Sequence, residues 1–322
     1  MKTVVSVIVP VFNGAKQIIR CLESIKKQTF SDFECLIIDD GSVDDSSEVI
    51  RNWITDDRFH LYHQDNTGVA VTRNRGISYA RGDFLAFVDQ DDYVDPDYLK
   101  HLMEAVDDDT DIVVTGYSRV EEDGKVLFKV SLKKGIFSKL IVTAPWAHLY
   151  RTSFIKRHQI QFLDSKIGED VYFNMTAVFY TNNIRIAAVD SDYRWVFNTA
   201  SVSNSSQSEA GGTDPRYLLD SIYKARPDGN CIPDDILEYY FLRYCVWYII
   251  FVMRKSPLED NLEWQNRLRK WLKEHFPDYL KNKYIKKCPE GEIGKYHLAV
   301  KGWMMLRQIK LDKLITRFFS KK

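Results

Sequence analysis

The sequence predicts an α/β protein with a mostly parallel central sheet, helices on both faces of that sheet, and a C-terminal helical appendage. Over roughly the first hundred residues, apolar runs typical of buried strands alternate with segments of helical periodicity. Polar residues follow each of the four apolar runs, and the last third of the chain is instead dense in aromatic residues and helix formers. Alternating strands and helices are typical of a parallel sheet that is covered on both faces.

Four strands and three helices are predicted up to Asp89, in strict alternation. The strands are VVSVIVPVF, FECLIIDD, FHLYHQ and DFLAFVD. The helices between them are AKQIIRCLESIKKQ, SSEVIRNWI and GVAVTRNRGISYARG. Sheets of this kind bind ligands beyond the carboxyl ends of their strands. The polar residues predicted at those ends are Asn13, Asp39 with Asp40, Asp65 with Asn66, and the run from Asp89 to Asp92.

Beyond Pro96 the alternation is less regular. PDYLKHLMEAV is predicted to be a helix that begins at a proline. DIVVTGYSRV and KVLFKVSL lie on either side of EEDG and predict a hairpin. WAHLYRTSFIKRH and EDVYFNMTAVFY predict two further helices. Residues 198–215 are rich in Ser, Asn, Gly and Thr, which predicts a mobile loop or a boundary.

The composition is that of a soluble globular protein, with 45% apolar and 28% charged residues among 322. The formal net charge is zero, so no nucleic-acid partner is predicted. The segment from Lys281 to Lys322 nevertheless carries a net charge of +9. Such a basic tail favours contact with phosphate or an anionic surface. Five cysteines without a C-x-x-C pair predict a reduced, cytoplasmic protein.

The apolar segments of the chain do not predict a membrane span. The N-terminal segment predicts a first strand rather than a signal peptide. The longest apolar run, Tyr239 to Met253, contains Arg243 and is shorter than the ~20 residues that a span needs, so it predicts a buried helix. A helical wheel from Met304 to Phe319 places six apolar residues on one face: Met304, Leu311, Leu314, Ile315, Phe318 and Phe319. This face predicts packing on the protein, a dimer interface, or peripheral contact of residues 295–322 with an anionic membrane.

The stretch AFVDQDDYVDP carries the strongest chemical signal, because a buried strand ends there in crowded carboxylates. Like charges at this spacing cost stability unless a cation or a hydrogen-bonded ligand offsets them. Asp89 and Asp91 supply the hard oxygen ligands that Mg²⁺ and Mn²⁺ prefer. A solvated turn is the alternative, and the position at a strand end favours the metal.

Three other places combine charge with a position near the same edge of the sheet. A turn with a helix cap explains the Gly-Ser pair after strand two, but not the adjacent carboxylates Asp39 and Asp40. One of these two is expected to face the cleft. Arg73, near the start of the third helix, is expected to have a phosphate or carboxylate partner. Glu169 and Asp170 open a helical pattern, which leaves both helix capping and catalysis open.

Motifs of other enzyme classes are missing from the sequence. No G-x-G-x-x-G follows the first strand, and neither G-x-x-x-x-G-K-[ST] nor G-x-S-x-G occurs. This disfavours a dinucleotide-binding dehydrogenase, a P-loop NTPase and a hydrolase with a nucleophilic serine elbow.

Four motifs occur in a specific order: VSVIVPVFNG, LIIDDGSVDDS, NTGVAVTRNRGISYARGDFLAFVDQDDYVDPDYL and GEDVYF. Over about the first 205 residues the chain resembles the family 2 glycosyltransferases of GT-A fold that build bacterial polysaccharides. The resemblance implies a UDP-sugar donor, a saccharide acceptor that is a candidate for lipid linkage, a divalent metal (Mn²⁺ or Mg²⁺) and inversion at the sugar carbon. DYRWVFNTASVSNSS resembles the tyrosine-rich strand and Ser-x-Ser loop of the family, with Asn198 where a basic residue is common.

The resemblance also implies roles for individual residues. Pro10 and Phe12 would line the base pocket, and Asp40 would hydrogen-bond the uracil with Asn66 nearby. Arg73 would face the nucleotide. Asp89 would contact the ribose or the metal, Asp91 would hold the metal, and Asp170 would be the catalytic base.

Domain bounds follow from the same resemblance: residues 1–213 form the transferase domain and 214–322 a C-terminal helical region. Within the domain, 1–95 is the nucleotide-binding half and 96–213 the acceptor half.

Two alternative functions stay open. A nucleotidyltransferase also uses paired carboxylates, but the loop FNGAKQI after strand one has a single glycine, which disfavours it. A non-catalytic saccharide- or protein-binding module is disfavoured by the intact carboxylates. The predicted location is cytoplasmic, with the inner face of the plasma membrane as a candidate site, and oligomer formation is left open.

Overall fold

The computed structural model describes residues 3–165, 168–188, 192–198, 214–253 and 256–309, together with 311, 313, 316, 317 and 320. These form two compact units. One comprises Met1–Lys133 and Val142–Phe197, and the other comprises Lys134–Ile141 and Asn198–Lys322. Most of the loop predicted over residues 198–215, including its Ser-x-Ser segment, lies outside the described residues.

The first unit is built on a seven-stranded mixed sheet. Its strands in chain order are β1 (Val5–Val11), β2 (Phe33–Asp40), β3 (Phe59–Gln64), β4 (Phe84–Phe87), β6 (Ile112–Val114), β9 (His148–Arg151) and β10 (Ile184–Ile186). The spatial order is β10-β6-β9-β4-β1-β2-β3, and only β9 runs antiparallel to its neighbours. Every residue of β1 and β2 is buried, as a strand covered on both faces requires. The four strands predicted up to Asp89 are confirmed.

A smaller, four-stranded sheet lies in the same unit. Its strands are β5 (Tyr93–Val94), β7 (Tyr117–Val120), β8 (Val126–Val130) and β11 (Tyr193–Val196), in the spatial order β5-β11-β7-β8. The β7–β8 pair is the predicted hairpin, and its turn is closed by a bond from the Gly124 amide to the Glu121 carbonyl. The predicted first strand of that hairpin was too long, because its first residues form β6 in the large sheet instead.

Six helices of the first unit flank the sheets: α1 (Ile18–Lys26), α2 (Ser46–Trp53), α3 (Val69–Tyr79), α4 (Tyr98–Glu104), α6 (Thr152–Arg157) and α7 (Glu169–Phe179). The single helix predicted over WAHLYRTSFIKRH is wrong in its first half, which is strand β9. Leu149 and Tyr150 are fully buried there and pair with β4 on one side and β6 on the other. Long-range pairing therefore overrides a local pattern that fits either structure.

Helix α3 lies unusually close to β1. A side chain at Gly76 would place its first carbon 2.5 Å from Cγ2 of Ile8, so only glycine allows this approach. The close packing matters because α3 also carries Arg73.

The second unit is helical, as predicted for the C-terminal region. It contains α5 (Ser138–Ile141), α8 (Pro215–Lys224), α9 (Asp234–Trp247), α10 (Leu258–His275) and α11 (Gly294–Gln308). A π-helical segment, Tyr248–Val252, continues α9. The apolar run around α9 is a buried helix, as predicted, and Arg243 within it forms an ion pair of 2.7 Å with the buried Glu292. Within the described ranges, no helix is both long and apolar enough to cross a membrane.

Helix α11 shows two apolar faces. Trp303 and Met304 are buried, so the predicted wheel that includes Met304 faces the protein at this point. Leu314, Ile315, Phe318 and Phe319 of that wheel lie outside the described residues. A different stripe is exposed: Leu298, Met305 and Ile309, at 66%, 58% and 57%.

Candidate active site at the carboxyl ends of the strands

A buried arginine connects the carboxylates at this edge of the large sheet. Arg73 is only 3% exposed. Its Nη1 donates to Oδ1 of Asp170 at 2.6 Å and approaches Oε1 of Glu169 at 3.4 Å, while its Nη2 donates to Oδ1 of Asp89 at 2.8 Å. Burial lowers the pKa of Arg73, but the charges of the three carboxylates more than offset this and hold it above its usual value. The carboxylate partner that the sequence predicts for Arg73 is therefore present.

An aromatic ring completes the environment of Arg73. The guanidinium carbon lies 5.3 Å from the centre of the Phe162 ring. Asn74, the next residue on α3, holds the backbone of Phe162 with two hydrogen bonds of 2.8 and 3.0 Å. Phe162 in turn stacks on Phe173 of α7, with ring centres 4.0 Å apart. This packing fixes the start of α7, and with it Asp170, against α3.

Asp170 occupies the first turn of α7, directly after Gly168 and Glu169. Gly168 has a φ of 86°, a left-handed conformation that glycine adopts without strain. Burial raises the pKa of Asp170, and the charge of Arg73 opposes that rise. The Asp170 side chain is still 28% exposed, so a ligand can reach it.

The residues after β4 divide into two pairs. Gln90 and Asp92 hold the loop in place: the Gln90 amide pairs with the backbone of Phe12 at 2.9 and 3.0 Å. The buried Asp92 carboxylate accepts from the Tyr193 hydroxyl at 2.7 Å and from the Val196 amide at 2.8 Å. Neither structural role was predicted from the sequence, since both depend on distant parts of the chain.

The other pair, Asp89 and Asp91, carries the charge that faces the site. Asp89 binds Arg73, whereas in the described part of the chain no side chain donates a hydrogen bond to the Asp91 carboxylate. Arg20 contacts only the Asp91 carbonyl oxygen, at 2.6 Å. Burial, followed by the charge of Asp89, raises the pKa of Asp91. A carboxylate in this state favours an added cation, so the oxygen donors present fit a divalent metal.

No cluster of three or more His, Cys, Asp or Glu side chains that could hold a metal occurs among the described residues. Mg²⁺ and Mn²⁺ sites on nucleotide enzymes commonly use one or two carboxylates and complete their coordination with water and substrate phosphates. Two carboxylates on one loop are thus compatible with this kind of site.

The adjacent carboxylates at the end of β2 point to opposite sides. Asp39 accepts from the Ser42 amide at 3.1 Å and contacts Nδ1 of His63 at 2.9 Å. Asp40, 3% exposed, accepts from the amides of Thr67 and Gly68 at 2.9 and 2.8 Å, and from other nearby donors. Burial raises the pKa of Asp40, but these hydrogen bonds outweigh it and lower the pKa below its usual value. Asp40 therefore orders the loop after β3 as an ionised carboxylate.

The remaining predicted positions surround the same edge of the sheet. Pro10 is buried in β1, and Phe12 directly after that strand is 44% exposed. Asn66 is exposed in the loop that Asp40 orders. The structure thus brings Arg73, Asp89 and Asp170 into direct contact and places the other predicted residues at neighbouring strand ends.

The mixed sheet with its flanking helices is a known fold. The fold is similar to that of S. aureus TarS, residues 1–349, crystallised in complex with UDP-GlcNAc. The TM-score is 0.72 at 19% sequence identity, over 98% of this chain and 90% of TarS. The fold is that of the GT-A glycosyltransferases, as the sequence motifs predicted.

The family follows from the sequence comparison. Residues 6–168, just over half of the chain, match the model of glycosyl transferase family 2. The chain belongs to this family, so the resemblance inferred from its motifs is confirmed.

Individual relatives match part of their length. Putative glycosyltransferase EpsH of Bacillus subtilis is 35% identical over 196 residues, 56% of this chain and 57% of EpsH. Glycosyltransferase GlyG of Streptococcus pneumoniae is 37% identical over 135 residues, 41% of this chain and 45% of GlyG. The chain thus spans about half the length of these relatives.

Replacing Arg73 by glutamine should destabilise the protein by about 3 kcal/mol at pH 7, because it leaves three partly buried carboxylates without a cation. The loss should shrink at pH 5. Arg73 opposes the raised pKa of Asp170, so without it that pKa rises further. An acid with a raised pKa in the folded state contributes stability at low pH and loses it as the pH rises. Chemical denaturation of both proteins at the two pH values measures the difference.

Arg185→Gln is the matched control, since Arg185 pairs with Asp107 at the surface. We expect that change to alter stability by no more than about 0.5 kcal/mol at either pH. If the difference between wild type and Arg73→Gln were equal at pH 5 and pH 7, the carboxylates would not be coupled to Arg73.

Proposed function

We propose that this protein is a metal-dependent, inverting glycosyltransferase that moves a hexosyl or N-acetylhexosaminyl group from a UDP-sugar to a saccharide acceptor. The proposed context is the synthesis of a cell-surface polysaccharide or glycan, with an acceptor that is a candidate for lipid linkage. The main support is Arg73, which joins Asp89 at the candidate metal loop to Asp170 at the candidate base. The leaving group of the donor and the hydroxyl of the acceptor must both lie next to the anomeric carbon. Arg73 brings Asp89, on the leaving-group side, and Asp170, on the acceptor side, to one guanidinium.

The proposed donor site lies across the ends of β1, β2 and β3. The exposed ring of Phe12 and the neighbouring Pro10 would pack on the uracil. Asp40 would hydrogen-bond the uracil, and Asn66 would lie nearby on the loop that Asp40 orders. Because Gln90 joins the backbone of Phe12 to the loop after β4, the base pocket and the diphosphate site would move as one body.

Asp91, with Asp89, would hold Mn²⁺ or Mg²⁺, which when bound neutralises charge on the departing diphosphate. Arg73 would keep Asp89 and Asp170 in place next to the nucleotide rather than bind the acceptor. Its ion pairs with Asp89 and Asp170 occupy both Nη atoms and fix the guanidinium plane.

Asp170 would remove the proton from the acceptor hydroxyl while that oxygen attacks the anomeric carbon. The bond from this carbon to the diphosphate oxygen breaks, and its electron pair leaves on UDP. Attack from the face opposite the leaving group inverts the configuration. The opposed effects of burial and Arg73 would place the basicity of Asp170 between that of a free carboxylate and that of a buried one.

Asp170→Asn tests the proposed base. The amide keeps the size of the side chain but cannot accept the proton, so we expect the turnover number to fall by roughly 10² to 10⁴. Affinity for UDP should stay within a few-fold of wild type. Titration calorimetry with UDP and initial rates with saturating donor separate the two effects. If the variant lost UDP affinity but kept its rate, Asp170 would be a binding residue.

Asp91→Asn tests the proposed metal ligand. Because a hard anionic ligand is lost, UDP affinity in Mn²⁺ should drop to the value measured for wild type in EDTA, and activity should fall with it. Asp95→Asn is the control, because the Asp95 carboxylate already pairs with Arg194 at 2.5 Å. We expect this control to keep its metal dependence, and full wild-type activity in EDTA would contradict the proposal.

We also propose a cytoplasmic location with peripheral attachment to an anionic membrane. The attaching surface would be the exposed stripe on α11 rather than the predicted wheel from Met304 to Phe319. All five cysteines are free thiols, which suits a reducing compartment. Cys21, Cys35, Cys231 and Cys245 are at least half-buried, and Cys288 is exposed. The exposed stripe of Leu298 and Met305 on α11 and Ile309 directly after it has Lys295 and Lys301 on its two sides. Apolar side chains flanked by lysines suit the headgroup region of an anionic bilayer.

The double variant Leu298→Gln/Met305→Gln tests this surface by flotation with vesicles of graded anionic lipid content. Partitioning should fall by roughly tenfold or more, since burying each apolar side chain contributes about 1.5–3 kcal/mol. Tyr217→Gln, an exposed aromatic of the same unit, is the control. Wild-type binding that did not depend on the anionic lipid, or that survived the double change, would rule out this surface.

A further inference from the structure

A second buried arginine, Arg119, lies in the smaller sheet. It belongs to β7, where pairing with β11 places it opposite Trp195. Its side chain is almost fully enclosed, with 4% of the residue exposed. The guanidinium carbon stands 3.3 Å from the centre of the Trp195 ring and 5.2 Å from that of Phe197. The two rings therefore hold the guanidinium plane in a defined position.

Arg119 differs from Arg73 in its polar partners. Among the described residues, its Nη1 has no hydrogen-bond acceptor. The nearest acids do not satisfy it: both oxygens of Asp92 accept from Tyr193 and Val196, and Asp91 acts on Arg119 only through its charge. Burial lowers the pKa of Arg119, and the charges of Asp92 and Asp91 oppose this. A buried guanidinium N–H group without an acceptor is costly, and an anionic ligand would supply that acceptor.

Two unsatisfied groups of opposite charge thus lie near one another. The Asp91 carboxylate has no side-chain donor, and Nη1 of Arg119 has no acceptor, among the residues that the structure describes. They do not form an ion pair with each other. A ligand that presents both a cation and phosphate oxygens would satisfy the two groups and balance their charges at once, whereas the hydroxyls of a neutral saccharide would supply hydrogen bonds without any charge.

We propose that Arg119 binds a phosphate oxygen of the donor diphosphate and thereby also receives the charge that develops on UDP as the sugar leaves. This inference rests on the proposed function and adds a residue to its donor site. The bond that breaks joins the anomeric carbon to the diphosphate oxygen. Its electron pair stays on that oxygen, and the Arg119 N–H group donates to the anion without transferring a proton.

The test compares UDP with uridine, which keeps the base and ribose but has no phosphate. In titration calorimetry with Mg²⁺ present, Arg119→Gln should lower UDP affinity by about tenfold to a hundredfold, the range of a lost charge-assisted hydrogen bond. Uridine affinity should not change. Arg119→Lys keeps the charge but not the planar guanidinium, and should recover part of the loss. Arg185→Gln serves as the control for removing an arginine elsewhere.

The outcomes distinguish this inference from the proposed function. If wild type bound UDP no more tightly than uridine, the proposed donor site itself would be wrong. If wild type preferred UDP and Arg119→Gln kept that preference, Arg119 would not bind the diphosphate. Equal losses of UDP and uridine affinity would make Arg119 a structural residue. If Arg119→Gln left UDP affinity unchanged and raised only the KM for an anionic acceptor, Arg119 would bind the anion of the acceptor instead. That result would also overturn the proposal.

Discussion

The ion pairs of Arg73 are the constraint on which the rest of the site depends. One guanidinium on α3 holds a carboxylate from the loop after β4 and two from the start of α7, which are 80 residues further along the chain. The arrangement requires α3 to lie close to β1, and Gly76 allows that approach. It also requires Phe162 and Phe173 to stack, because their contact sets the start of α7. Glycine, aromatic stack and salt bridges therefore form one structural unit.

The crowded carboxylates after β4 are explained by a division of tasks. The loop turns between Asp89 and Asp92, whose amide donates to the Asp89 carbonyl oxygen at 3.0 Å, and Asp89 and Asp91 differ in environment from Gln90 and Asp92. Gln90 and Asp92 are satisfied by distant backbone and hydroxyl groups, and they anchor the loop at both ends. This anchoring fixes Asp89 and Asp91 without consuming the Asp91 carboxylate. Hydrogen bonds thus stabilise the Asp92 carboxylate, and Arg73 stabilises that of Asp89. Of these three acids, only Asp91 has no such side-chain partner.

The first four strands could be predicted from the sequence because their signal is local: each is a short apolar run that ends in polar residues. The same local signal failed at β9, whose residues fit a helix equally well and form a strand because β4 and β6 lie on either side. Asp89 and Arg73 could be singled out by residue type and position, and Asp170 by the family motif GEDVYF, but their contact could not be predicted, since no spacing encodes a pairing across 97 residues. Arg119 was missed for a similar reason. A single arginine in the predicted hairpin strand DIVVTGYSRV gives no local signal of burial, because its burial depends on Trp195 in a strand far along the chain.

The charges of the site favour the proposed ligand, a metal–diphosphate complex. The charge of Arg73 is already balanced by Asp170, Asp89 and Glu169, so it has little capacity left to compensate a bound diphosphate. Asp91 could take up a cation but would repel a bare phosphate, while Arg119 could take up a phosphate but would repel a bare metal ion. Either ion alone would worsen one of these two environments. A metal–diphosphate complex would improve both, and its net charge would be smaller than that of the free diphosphate. The proposed donor and its metal would therefore stabilise each other at the site. The protein would contribute the Asp91 carboxylate and the Arg119 guanidinium to that coupling.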